Sequence, residues 1–294
     1  MDLKRRKLEV EEQKYLGKML RLSFFRSYGR NWGKICFCNA ILLLTNILSM
    51  LIGLCIVMFL FPMIFPFFSL DHLGDYLVSA GMVAAENITT ENINNVFMMM
   101  CMVSSMLLMG FMLVINGPVQ AAVCYYFKNI IVDDADFKKD FKQGLKDNWK
   151  KSLLASVISI VVVIVLIFNT GFYQNMGKGY VPMITRGFFA CLIIFWSSVQ
   201  IYLYPLIATV ELSFKEAYKN AVILSIVNLP QTMLIILVEF LLFLIIPFVF
   251  LLSFGSIGYA ITMLLYILFS YGFIAFLSMF RTWKAIQKWI SSDS

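Results

Sequence analysis

Histidine is almost missing from this chain: one residue, His72, in 294. A lone histidine in a stretch between apolar runs leaves no Ser–His–Asp or Cys–His set to assemble. Cysteine is present but unorganised. Cys36, Cys38, Cys55, Cys101, Cys124 and Cys191 form no Cys-x-x-Cys pair and sit in or beside apolar segments, where they read as small apolar side chains. Zinc and haem sites are therefore not expected, and no Walker-type glycine run is present to cradle a phosphate. The acids Asp133, Asp134, Asp136 and Asp140 lack the glycine and glutamate of a calcium loop and read as helix-capping and first-turn residues. The sequence thus predicts no catalytic constellation and no cofactor; the chain reads as a non-enzyme.

Charge is scarce as well. Only 14% of residues are charged and 61% are hydrophobic, against about 25% and roughly 45–50% in an ordinary soluble domain. No single globular core of this length hides so much apolar surface, whereas a bilayer does. What the chain has in abundance is long apolar runs. Six reach the ~20 residues needed to cross roughly 30 Å of hydrocarbon: about 36–66, 96–117, 153–173, 187–209, 222–252 and 258–280. The expected fold is all-α, a polytopic transmembrane bundle of six spans joined by short amphipathic interfacial helices on the cytoplasmic side. Its parts are an amphipathic N-terminal segment 1–34, the membrane domain 35–285 and a tail 286–294. The first and fifth runs are overlong and contain Pro62, Pro66, Pro230 and Pro247, so kinks or tilt are expected in both.

The 24 lysines and arginines orient this string. Ten precede the first run, seven lie in 128–151, two in 211–219 and three after 280, whereas 69–95 and 253–257 have none and 174–186 has two. The positive-inside rule then places both termini and the 128–151 loop in the cytoplasm and the 69–95 loop outside, a multi-pass plasma-membrane topology. The charged N-terminal stretch and the long run after it predict no cleavable signal peptide. The net charge of +7 sits beside membrane segments, so anionic inner-leaflet headgroups, not nucleic acid, are the expected partner.

Three basic segments resemble one another: Phe25-Arg26 before Asn31-Trp32, Phe141-Lys142 before Asn148-Trp149, and Phe214-Lys215 before Lys219-Asn220. Phe137, Phe141, Leu145 and Trp149 recur every four residues and define the clearest candidate interfacial helix, aromatics down and lysines outward. Inside the membrane, Asn228, Gln231, Thr232 and Glu239 fall within an arc of about 100° on a helix. Ser197, Gln200 and Tyr204 form a second polar group on the fourth run. Two readings of these stripes stand: a path or cavity shared by the fourth and fifth spans, and interhelical hydrogen bonding that fixes packing, the latter carrying more weight. Asn116-Gly117-Pro118 reads as the stop that closes the second span.

Gly117-Pro118 with Ala121-Ala122, then Phe137, Phe141, Asn148 and Ser152, and further on Tyr204-Pro205, Phe214, Lys215, Tyr218 and Asn220, resemble the YesL-like bacterial membrane proteins over roughly residues 20–285. The N-terminal extension and the 69–95 loop are longer here than in that pattern. The resemblance implies an integral plasma-membrane protein accessory to carbohydrate uptake by a transporter of the ATP-binding-cassette type, in contact with its permease or ATPase subunits. It brings no catalytic residues. A small transporter or channel between the fourth and fifth spans is the alternative.

Overall fold

Every regular element among the described residues is helical. A bilayer imposes this, because backbone N–H and C=O groups without water must bond within their own segment. The computed structural model describes residues 24–45, 47–65, 68–81, 84, 89–111, 117–175 and 179–292. Most of the N-terminal segment 1–34 and Asn116 lie outside these residues, as does part of the 69–95 loop. In chain order the helices are α1 (Phe24–Arg30), α2 (Trp32–Thr45), α3 (Ile47–Cys55), α4 (Phe61–Ile64), α5 (Leu70–Ser79), α6 (Thr90–Phe111) and α7 (Gly117–Ile131). They continue with α8 (Phe137–Asn175), α9 (Tyr180–Thr209), α10 (Phe214–Val227), α11 (Leu229–Phe240), α12 (Ile246–Leu265) and α13 (Tyr271–Ser292).

Four stretches among the described residues are long and apolar enough to cross a membrane: Phe137–Tyr173, Tyr180–Thr209, Leu229–Phe250 and Ala260–Gln287. Their outward faces are greasy. On α8, Leu153, Val157, Val161, Val165, Phe168 and Phe172 are all exposed, while Ser152, Ala155, Ser156, Ser159 and Val163 on the other face are buried. This is the segregation expected when lipid is the solvent for one face and helices for the other. The first apolar run is divided into α2, α3 and α4, shorter apolar helices.

Proline explains two of the breaks. A π-helical turn at Ile56–Leu60 stands just before Pro62, and another at Leu241–Ile245 just before Pro247. Proline removes one backbone donor and crowds the carbonyl four residues earlier; a widened turn ahead of it relieves that crowding. The third π turn, Tyr266–Ser270, has no proline. There Asn39 of α2, fully buried, donates its side-chain amide to the Tyr266 carbonyl (2.9 Å) and the Ile267 carbonyl (2.5 Å) and accepts from the Gly272 N–H (2.7 Å). Its side chain supplies bonds to backbone groups around the widened turn. Gly272 makes the approach possible, since a Cβ there would stand 2.8 Å from both the Asn39 Cβ and the Ile35 carbonyl oxygen.

The segment 137–151 corrects one expectation. It is not a separate helix lying along the leaflet but the first part of α8, which runs 39 residues without interruption, about 58 Å at 1.5 Å per residue. Its aromatic stripe turns toward protein. Phe137 meets Tyr126 of α7 (5.2 Å) and Phe37 of α2 (4.9 Å) and stacks on Phe141, while Leu145 is half-buried. Only Trp149 of the four is exposed, with the Lys150 ammonium over its ring. No residue between Asn148 and Leu153 breaks a helix, and α7 offers the stripe a neighbour that the sequence pattern does not announce. The capping expectation is met at the start of α8: the Asp136 side chain accepts from the Lys139 N–H (3.2 Å), and Asp140 accepts from the Asp136 N–H (2.9 Å).

Gly117-Pro118 stands at the first described turn of α7, and Asn116, with which it was expected to close the second span, lies outside the described residues. α7 then packs along α8 through small residues. A Cβ on Gly117 would lie 2.1 Å from the Ser156 hydroxyl and 2.2 Å from the Ser152 carbonyl oxygen, so only glycine permits this contact. Close backbone approach through small side chains is how helices associate where lipid tails are as apolar as leucine. The main core joins α2, α7, α9 and α13 around Phe127, Tyr202, Phe276 and Phe280.

Candidate functional site

Along the protein-facing side of α8, Asn148, Ser152, Ser156 and Ser159 follow at spacings of four, four and three, which places them on one face. All four are buried. Asn148 donates to the Gly144 carbonyl (3.1 Å), Ser152 to the Asn148 carbonyl (2.7 Å) and Ser156 to the Ser152 carbonyl (3.0 Å). Ser156 also accepts from the Gly117 N–H (3.0 Å), the first donor of α7, and meets the Tyr204 hydroxyl of α9 at 3.2 Å. Three helices are thus tied at one serine.

Deeper in, the bonding stops while the polarity continues. Trp196, Gln200 and Tyr204 share a face of α9, and the Trp196 ring stacks on Tyr218 of α10 at 6.1 Å. The Tyr218 hydroxyl lies within hydrogen-bonding reach of the Ser159 hydroxyl and the Gln200 amide. Ser159 Oγ, Trp196 Nε1, Tyr218 OH and both ends of the Gln200 amide are closed to solvent there without a well-aligned hydrogen bond. An unsatisfied buried donor or acceptor costs about 1–3 kcal/mol.

The other end of this seam opens to a cavity of about 620 Å³ between the start of α8, the end of α7 and the link from α9 to α10. Lys128, Asp147, Lys151 and Glu211 stand in its wall, with Asn148 where the seam begins. Lys151 donates to the Leu212 carbonyl (2.6 Å), and Lys128 sits over the Trp283 ring at 4.8 Å. Both charge signs are held on helical walls, which suits a polar occupant of mixed charge.

The six residues of the expected polar stripes do not come together. Gln200 and Tyr204 belong to the seam against α8 and α10. Tyr202, between them, leaves α9 on the opposite side and bonds Thr232 of α11 (2.9 Å). Thr232 also donates to the Asn228 carbonyl (3.0 Å), and Asn228 donates its side chain to the Leu224 carbonyl (3.1 Å), so both act at the joint between α10 and α11. Gln231 is exposed on the membrane-facing side. Glu239 is buried, with no hydrogen bond or ion pair to any described residue. The cavity above and a smaller apolar one of about 210 Å³ beside Cys191 and Met233 include neither Gln200 nor Glu239 in their walls.

Tyr202, Tyr218 and the serine ladder were not among the expected site residues. The ladder had a readable signal: Ser152, Ser156 and Ser159 at helical spacing inside an apolar run. No group of three or more His, Cys, Asp or Glu side chains among the described residues is placed to hold a metal ion. No family model matches this chain, and no curated protein or solved structure is significantly similar to it.

Proposed function

We infer that this chain is a non-enzymatic, six-span plasma-membrane protein with both termini in the cytoplasm, accessory to a transporter and docking it at the cavity between α7, α8 and α9. The lysine and arginine distribution supports the orientation, which turns that cavity to the cytoplasm. Thr90–Phe111 and the α2–α4 series supply the two crossings beyond the four long apolar stretches. The observation that carries the docking role is the open cavity of about 620 Å³ whose walls hold Lys128, Asp147 and Lys151 on helices and Glu211 on the link from α9 to α10. Such a wall receives a polar protein segment by complementary charge. The resemblance to YesL-like proteins makes the permease or ATPase subunits of a carbohydrate uptake system the partner to look for. The basic end, with Trp149 and Lys150 outward, meets anionic headgroups.

A photo-crosslinking residue at Gln143, in the cavity wall, tests this in native membranes. Adducts with a transporter subunit are expected. Adducts with lipid alone, or none, overturn the docking role.

A further inference from the structure

Where α10 gives way to α11, these two helices and α9 leave an open apolar groove of about 210 Å³. Ile194 and Phe195 of α9, Ile226 of α10 and Leu229 and Met233 of α11 line it and are all exposed. Ser198 and Ser225 line it too, and both are buried. Neither hydroxyl awaits a partner, because Ser198 donates to the Ile194 carbonyl (2.8 Å) and Ser225 to the Val222 carbonyl (2.8 Å). The groove therefore offers carbon alone. A polar group lodged there would give up hydrogen bonds and gain none, so the fitting occupant is hydrocarbon.

Charge stands above it. On α10, Lys215, Lys219, Val222 and Ile226 follow at spacings of four, three and four, so two exposed lysines head the face that runs down to the groove. Glu216, beside Lys215, commits its carboxylate to the Ser213 N–H (2.8 Å). From Lys219 to Ile226 the helix advances about 10 Å, within the ~15 Å hydrocarbon depth of one leaflet. Lysine stems lie on apolar surface while their ammonium groups reach for the headgroup layer. An anion above and a hydrocarbon chain below, joined at this spacing, is the make-up of a phospholipid. An apolar helix from another protein would fill the groove and leave the lysines unmatched.

We propose that Lys215, Lys219 and the groove between α9, α10 and α11 bind one anionic glycerophospholipid, its phosphate at the lysines and an acyl chain passing Ile226 into the groove. In the orientation proposed above, the lipid comes from the cytoplasmic leaflet. The site rests on the membrane reading and not on the docking role, since it shares no wall residue with the larger cavity.

The test uses the full chain alone in phosphatidylcholine nanodiscs, whose two faces are the same, so the result does not depend on how the chain is threaded. A trace of phosphatidylglycerol or of phosphatidylcholine, each with a diazirine on an acyl chain, is added and irradiated, and adducts are mapped by peptide mass spectrometry. Labelling of residues 226–233 by the phosphatidylglycerol probe is expected to exceed that by the phosphatidylcholine probe about fivefold, the effect of one lysine near an anionic surface, or more. The exposed face of α8 at Val157, Val161 and Val165 should take both probes equally and serves as the control. Lys215→Gln/Lys219→Gln, at exposed positions, should bring the ratio at 226–233 to about one while labelling persists. Equal labelling by the two probes in the wild type, as for bulk lipid passing the groove, overturns the proposal. So does a preference that the double substitution leaves unchanged, or a groove left unlabelled because a second copy of the chain covers it.

Discussion

The two sides of α9 handle polarity in opposite ways. Toward α11, Tyr202 and Thr232 find each other and Thr232 reaches two further backbone carbonyls, so the contact is closed and saturated. Toward α8 and α10, Gln200, Trp196, Ser159 and Tyr218 gather within reach of one another without well-aligned bonds, on the face of α8 whose Asn148 end borders the open cavity. One side is fixed by aligned hydrogen bonds and the other by loosely matched polar contacts. Polar residues within a membrane are commonly taken together as a path; here their value depends on whether each finds a partner within the bundle.

Five substitutions break or sharpen this contrast. Gly117→Ala should act most strongly, because its Cβ collides with the Ser152 carbonyl and the Ser156 hydroxyl at the head of the ladder. A loss of about 3 kcal/mol, the upper range for overpacking, is expected in reversible unfolding in mixed micelles. An unchanged midpoint would mean that α7 and α8 do not meet there. Glu239→Leu should go the other way. A buried carboxylate without a partner is costly in a membrane, so its removal should raise stability by about 2 kcal/mol. A drop instead would show that Glu239 has a partner in the folded protein.

At the start of α10, Ser213 and Glu216 form a capping box: Glu216 accepts from the Ser213 N–H (2.8 Å) and Ser213 from the Glu216 N–H (3.4 Å). Ser213→Ala should cost about 1 kcal/mol and loosen the cavity rim. The Ser213 hydroxyl and backbone N–H hold the Glu216 carboxyl below the usual carboxylate range. A depressed folded-state pKa stabilises the fold above the unfolded-state value, and that contribution disappears as pH falls through the folded-state value. Comparing thermal midpoints of wild type and Glu216→Gln from neutral to acidic pH should show a gap that closes on acidification; a constant gap would sever the link. Tyr202→Phe should have the smallest effect, about 0.6 kcal/mol, the average for an interhelical hydrogen bond in a membrane. A much larger loss would mark the α9–α11 contact as more than glue.

Hydrophobic runs announced the membrane and located the third to sixth apolar segments, because length and composition alone decide whether a helix can cross. Helical periodicity also grouped Gln200 with Tyr204. It could not say which neighbour that face would meet, since a period fixes directions around one axis and nothing about the next helix. The same gap explains Phe137, Phe141 and Leu145. An apolar stripe looks alike whether it rests on lipid or on α7, and only the small residues of α7 reveal that a helix can come close enough. The π turns before Pro62 and Pro247 were legible as kinks, because proline carries its own steric signature, whereas the turn held by Asn39 depends on a residue more than two hundred positions away.

α8 carries Asn148 at the cavity and Ser159 beside Tyr218 on one unbroken cylinder, about 16 Å apart along its axis. With no hinge between them, whatever pulls or pushes the exposed Trp149 end moves Ser159 by the same distance. The close contact of Gly117 with Ser152 and Ser156, between those two positions, fastens that rigid cylinder to α7.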